Sequence, residues 1–189
     1  MPRDSRNLPV GSVVHVVNRG NDKRVLFAEP QEFEDFLRLV VWVKALCPVR
    51  IVAYCIMRNH WHFVFWVEVE WDVSCFLHRL TMIHARRWRR ITDTVGQGCV
   101  YQGRFKASQI FNERHYYNVL RYVEQNPLRA NLVRACRDWR WSSLAERLGS
   151  GRAILDPDPV GIPLEWETLV EMPLEREITD AVRNSLRRY

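Results

Sequence analysis

A chain of 189 residues, 47% of them hydrophobic, can bury one sizeable core and a small appendage, which excludes two full domains. The net charge of +6 and pI near 9.3, with arginine far outnumbering lysine, favour a polyanionic partner that guanidinium groups grip as a fork. Five scattered cysteines (Cys47, Cys55, Cys75, Cys99, Cys136) with no Cys-x-x-Cys pair argue against a zinc knuckle or disulfide framework, and without an apolar run of ~20 residues or a signal-peptide core the expectation is a cytoplasmic protein that meets no membrane.

Residues 13–17 are short and β-branched and predict a strand; Asn18-Arg19-Gly20-Asn21-Asp22 then reads as a loop carrying Arg19, Lys23 and Arg24 toward phosphate. Pro30 opens a helix with Phe33, Phe36, Leu37, Val40 and Val41 at helical spacing and acidic residues at its N-terminal end. Residues 49–56 and 60–67, rich in β-branched and aromatic side chains and separated by Met57-Arg58-Asn59, predict an antiparallel hairpin. His60-Trp61-His62 begins its second strand. Side chains alternate there, so both imidazoles share one face and Trp61 takes the other.

Asp72 is expected to cap a second helix, apolar at Val73, Phe76, Leu77, Leu80 and Ile83 and basic at Arg79, Arg86, Arg89 and Arg90. Residues 100–111 read as a strand that puts Arg104 and Lys106 on one side for phosphate contact. A third helix is expected over about 112–126, stopped by Pro127, with Tyr116, Val119, Leu120 and Val123 on its apolar face and His115, Asn118, Tyr122 and Asn126 aligned on the other. Glu124 points elsewhere, and an ion pair with an arginine is its default. The order of elements is that of an α+β fold with a ferredoxin-like antiparallel sheet and helices packed on it, covering 1–145, with 146–189 as a C-terminal appendage.

Two neutral imidazoles and an amide oxygen leave coordination positions open for phosphate oxygens, a pattern suited to Mg²⁺ or Mn²⁺. A tyrosine supplies a nucleophile that can hold a phosphoryl group. Tyr116 and Tyr117 compete for that task, but only Tyr122 shares its face with Asn126. A His-x-His pair on a strand is by itself more often structural than metal-binding, so the surrounding motifs decide.

His60-Trp61-His62 resembles the His-hydrophobic-His signature of the HUH single-strand nucleases. Asn18-Arg19-Gly20, Met57-Arg58-Asn59-His60, Gly103-Arg104-Phe105-Lys106, the run from Arg121-Tyr122 through Asn126-Pro127-Leu128-Arg129-Ala130, and Trp141-Ser142-Ser143 together resemble the REP-associated tyrosine transposases, in the right order over about residues 12–143. The resemblance implies an HUH nuclease fold and a transposase of DNA transposition and recombination. It implies cleavage of single-stranded DNA by Tyr122, giving a 5′-phosphotyrosine and a free 3′-OH, with Mg²⁺ or Mn²⁺ at His60, His62 and Asn126. The substrate it implies is a hairpin of the REP palindrome type, contacted by Arg19, Lys23, Arg24, Arg58, Arg104 and Lys106, and the acting form a monomer, with a dimer as the alternative. The alternative is a domesticated, non-catalytic protein that binds palindromic hairpin DNA, against which the intact set of four site residues argues.

Overall fold

The computed structural model describes residues 8–186; the first seven residues of the expected 1–145 domain and the last three of the 146–189 segment lie outside the described residues. Four strands, β1 (Val13–Arg19), β2 (Arg50–Met57), β3 (His60–Trp66) and β4 (Lys106–Ile110), form one sheet in the order β2-β3-β1-β4, each neighbour antiparallel. Two split units interlock in it: β3 separates the parallel pair β1 and β2, and β1 separates β3 and β4. This is the ferredoxin-like α+β arrangement that the order of elements predicts.

Helix α1 (Pro30–Leu46) begins with proline and a reciprocal capping box between Glu29 and Glu32, and α2 (Asp72–Ile91) is the longest helix. Both pack on one face of the sheet, where Trp61, Phe63, Phe65, Phe36 and Phe76 make a continuous aromatic core. Asp72 turns out to be the first residue of α2 rather than its cap. Trp71 stands before it in the left-handed region, and the carboxylate of Asp72 accepts from Val69 and Val73 instead. Helix α3 (Glu113–Glu124) lies against the other face, its N-terminus capped by the Asn112 side chain.

Several boundaries differ from the sequence reading for local reasons. β1 continues through Asn18 and Arg19, because the ladder with β3 runs to the Arg19–His60 pair before the chain turns. Gly20 permits that turn: a Cβ there would sit 2.4 Å from the Arg24 carbonyl oxygen. β4 is shorter than expected and leaves Arg104 in the bend before it, so Arg104 and Lys106 do not share a strand. Pro127 does not stop the third helix; α3 ends at Glu124, and Pro127 enters a further turn, α4 (Asn126–Arg129), near whose start its missing N–H costs nothing.

Beyond α4 the chain returns along β2. Ile56 N–H donates to the Trp141 carbonyl, and Ser143 bonds both backbone groups of Tyr54, so the sheet edge is covered. The short turn α5 (Ser143–Ala145) follows, and then α6 (Trp166–Glu171) and α7 (Arg176–Ser185), which pack against α3. Lys44–Asp156 at 2.6 Å and Arg152–Glu34 at 2.8 Å tie the segment after residue 145 to α1.

Candidate active site

Strand alternation sets His60 and His62 on the α3 face of β3, their rings 5.1 Å apart, while Trp61 points to the opposite face and donates to the Tyr101 hydroxyl. His62 is buried, and burial, reinforced by its neighbours His60 and His15, holds its pKa well below the usual imidazole range. His60 is lowered to about 4, first by burial and then by Arg19 and Arg129. Both imidazoles are therefore neutral at physiological pH, as a metal ligand must be.

Helix α3 brings Tyr122 over this strand. Its ring, 5% exposed, meets His62 edge-on at 5.9 Å between centroids, and it meets His15 of β1 in the same way at 6.0 Å. Tyr116 and Tyr117 are drawn elsewhere, their hydroxyls donating to Asp158 and to the Gly161 carbonyl. Asn126 Nδ2 donates to the Tyr122 carbonyl at 3.1 Å, which turns Oδ1 outward, where it accepts from Arg129 at 3.2 Å. The Arg129 guanidinium also lies 3.8 Å above the Tyr122 ring, a cation–π contact.

Among the described residues no three His, Cys, Asp or Glu side chains are arranged to hold a metal ion. A site here would take the Asn126 amide oxygen as its third donor. The imidazoles suit that set: His60 Nδ1 is occupied by Asn59 Oδ1 at 2.7 Å and His62 Nδ1 by His15 Nε2 at 2.9 Å, which leaves both Nε2 atoms uncommitted to those contacts. The donor chemistry fits a divalent cation, and three donors leave coordination positions for phosphate oxygens.

Of the expected phosphate contacts, Arg19 stands at the end of β1 opposite His60 and shares a cleft of about 110 Å³ with Arg104 and Lys106. Lys106 pairs with Val17, which pairs with His62 in turn, so it lies in the same cross-sheet row as that imidazole, roughly 10 Å away. Lys23 and Arg58 are exposed on adjoining turns. Arg24 is not brought to this group; its guanidinium lies 5.1 Å from the Trp88 ring on the α2 side of the sheet. Sequence reasoning gave no role to His15 or Arg129. A lone histidine inside the apolar run of β1 was the signal for the first, and an arginine three residues beyond Asn126 for the second. Glu124 pairs with Arg147, as an ion pair was its default.

The family described as "Transposase IS200 like" matches residues 11–126. A REP-associated tyrosine transposase of Escherichia coli (strain K12) is 23% identical over 150 residues, covering 77% of this chain and 84% of that protein. Among solved structures, a REP-associated tyrosine transposase bound to a REP hairpin superposes with a TM-score of 0.63 at 20% identity, over 87% of this chain and 96% of the other.

Proposed function

The chain belongs to the IS200-like transposase family, and from that premise we propose that it is a metal-dependent single-strand DNA endonuclease and strand transferase acting beside hairpins of the REP palindrome type. The observation that carries the reading is the packing of the α3 residue Tyr122 on His62, with His60 beside it on β3 and Asn126 of α4 bonded to the Tyr122 carbonyl.

In this reading the Tyr122 hydroxyl attacks the scissile phosphorus and gives up its proton to solvent, and the departing 3′-oxygen takes one up. The new bond joins phosphorus to the phenolic oxygen, the bond to the 3′-oxygen breaks, and that oxygen leaves as a 3′-OH. The product is a 5′-phosphotyrosine, which keeps the energy of the phosphodiester and can be attacked in turn by another 3′-OH. His60, His62 and Asn126 would hold Mg²⁺ or Mn²⁺, which neutralises charge on the non-bridging oxygens. Arg129 holds the phenol ring in place through its cation–π contact. Arg19, Arg104 and Lys106 hold neighbouring phosphates, and Lys23 and Arg58 extend that surface.

A second reading has two observations in its favour. Tyr122 is nearly covered and Asn126 Oδ1 is held by Arg129, which suits a domesticated protein that binds hairpin DNA without cutting it. Incubation of labelled single-stranded hairpin DNA with Mg²⁺ or Mn²⁺, run on a denaturing gel beside Tyr122→Phe, separates the two. A protein-linked band lost in the variant is the expected result. Tight binding with no adduct under either metal supports the binding protein instead, and cleavage that survives Tyr122→Phe removes Tyr122 as nucleophile.

A further inference from the structure

One buried titratable side chain next to the metal ligands has no part in the proposed reaction. His15 of β1 is 1% exposed, its Nε2 lies 2.9 Å from His62 Nδ1, the two rings stack at 5.1 Å, and its own Nδ1 is buried with no hydrogen-bond partner among the described residues. A hydrogen bond between two neutral imidazoles holds one proton between them. If His15 Nε2–H donates, neutral His62 carries its remaining proton on Nε2 and offers no lone pair to a cation. If His62 Nδ1–H donates, His62 Nε2 is a bare lone pair and the proton of His15 moves to Nδ1.

Asn59 resolves the same question for His60 without ambiguity. Its Nδ2 donates to the Lys23 carbonyl at 3.3 Å, so Oδ1 faces His60 Nδ1 at 2.7 Å and can only accept. His60 Nδ1 must therefore bear the proton, and Nε2 is free to ligate.

We infer that His15 is a positioning residue for the metal site, accepting from His62 Nδ1 so that His62 Nε2 stands as a lone-pair donor beside that of His60. The inference deepens the proposed metal-dependent function and rests on it. His15 touches neither substrate nor metal; it acts through the ring orientation and tautomer of His62, as outer carboxylates and carbonyls do at other metal-binding histidines. Its Nδ1 has no partner among the described residues to fix the tautomer, so a cation on His62 Nε2 is what selects the form in which His62 Nδ1 donates.

The test uses the full chain without DNA: Mn²⁺ affinity by calorimetry, thermal midpoints in EDTA, and long-range ¹⁵N–¹H spectra of the histidines with Mg²⁺, for the unsubstituted chain, His15→Leu and His15→Gln. The leucine removes the acceptor at similar volume; the glutamine returns one in Oε1. Loss of Mn²⁺ affinity by about ten- to a hundredfold in His15→Leu, with recovery to within about threefold in His15→Gln, is the expected result. The EDTA midpoint of His15→Leu stays level or rises, and His62 in the Mg²⁺-loaded unsubstituted chain bears its proton on Nδ1. Unchanged affinity in His15→Leu overturns the inference, as does a Mg²⁺-loaded His62 protonated on Nε2. Equal loss in both variants with a fallen EDTA midpoint means that His15 only packs, and overturns it too. An unsubstituted chain that binds no cation fails the metal reading itself, and the inference falls with it.

Discussion

Arg129 is the residue whose replacement separates the two charges that the site must manage. Its guanidinium lies on the Tyr122 ring and on Asn126 Oδ1, and it adds to the burial that lowers the pKa of His15, His60 and His62. A cation that disfavours protonation of those imidazoles also disfavours a metal beside them, while the same guanidinium holds the Tyr122 ring in place for attack. Arg129→Gln should raise Mn²⁺ affinity by about tenfold, a modest share of the interaction between two nearby charges at an effective dielectric of about 20. It should at the same time lower the yield of the covalent adduct. Calorimetry and the denaturing gel read the two effects separately, and movement of both in the same direction would sink the argument. That His60 and His62 share a face was legible in the sequence because strand alternation alone decides it, and the nearness of Asn126 to Tyr122 survives the break at Gln125 because the turn stays close to helical. Arg129 was not, since its reach depends on the α4 turn after Pro127. His15 was not either, since its partner is diagonal to it on the neighbouring strand and 47 residues away.

At the scale of elements, α3 must be held in register over β3, and Glu124 is the buried group that holds it. Its carboxylate accepts from Ser143 Oγ, from Trp166 Nε1 at 2.7 Å and from Arg147 Nε at 3.4 Å, so one side chain binds α3 to α5, α6 and the chain between them. Removing one partner of a buried ion pair leaves the other uncompensated, so Glu124→Ala should cost about 3–5 kcal/mol in urea unfolding. Glu124→Gln keeps acceptor and bulk and should cost less; equal losses in both would mean that the charge, rather than the hydrogen bonds, holds the helix. Helices α1 and α2 could be read from hydrophobic period, because each buries a face that repeats, and β1 to β3 from their β-branched and aromatic runs, which are buried on both faces of the sheet. The errors fell where backbone pairing or a turn outweighs that pattern: Arg19 kept in β1 by its ladder with His60, Arg104 left out of β4 by the bend at Gly103, and α3 broken at Gln125. The tether at Glu124 shows only in three dimensions, since its partners lie 19 to 42 residues further along the chain.

For the molecule as a whole, the buried histidines set how stability depends on pH. His15 and His84 are lowered to about 3 and His60 to about 4, in each case chiefly by burial, and His84 Nδ1 is further committed to the Tyr101 hydroxyl at 2.7 Å. A group whose folded pKa is depressed contributes stability that is fully present above its unfolded value, near 6.5, and is lost as pH falls toward the folded value. The unfolded chain takes up those protons first, so stability should fall from pH 6.5 toward pH 4, each such histidine adding about 1.4 kcal/mol per pH unit within that window. Glu124, whose pKa burial raises, acts in the opposite direction and offsets part of the slope. Thermal midpoints in EDTA at pH 7.5, 6, 5 and 4.5 read the decline directly. His84→Gln assigns it: a side chain that cannot titrate should remove about one proton from the dependence while His60 and His62 keep theirs. Divalent cation should protect against the same acid loss only down to the pH at which His60 begins to protonate, because metal and proton compete for one lone pair. A midpoint that is flat between pH 6.5 and 4.5 would mean that these imidazoles are hydrated in solution, and a dry pair of neutral ligands could then no longer be the basis of the site.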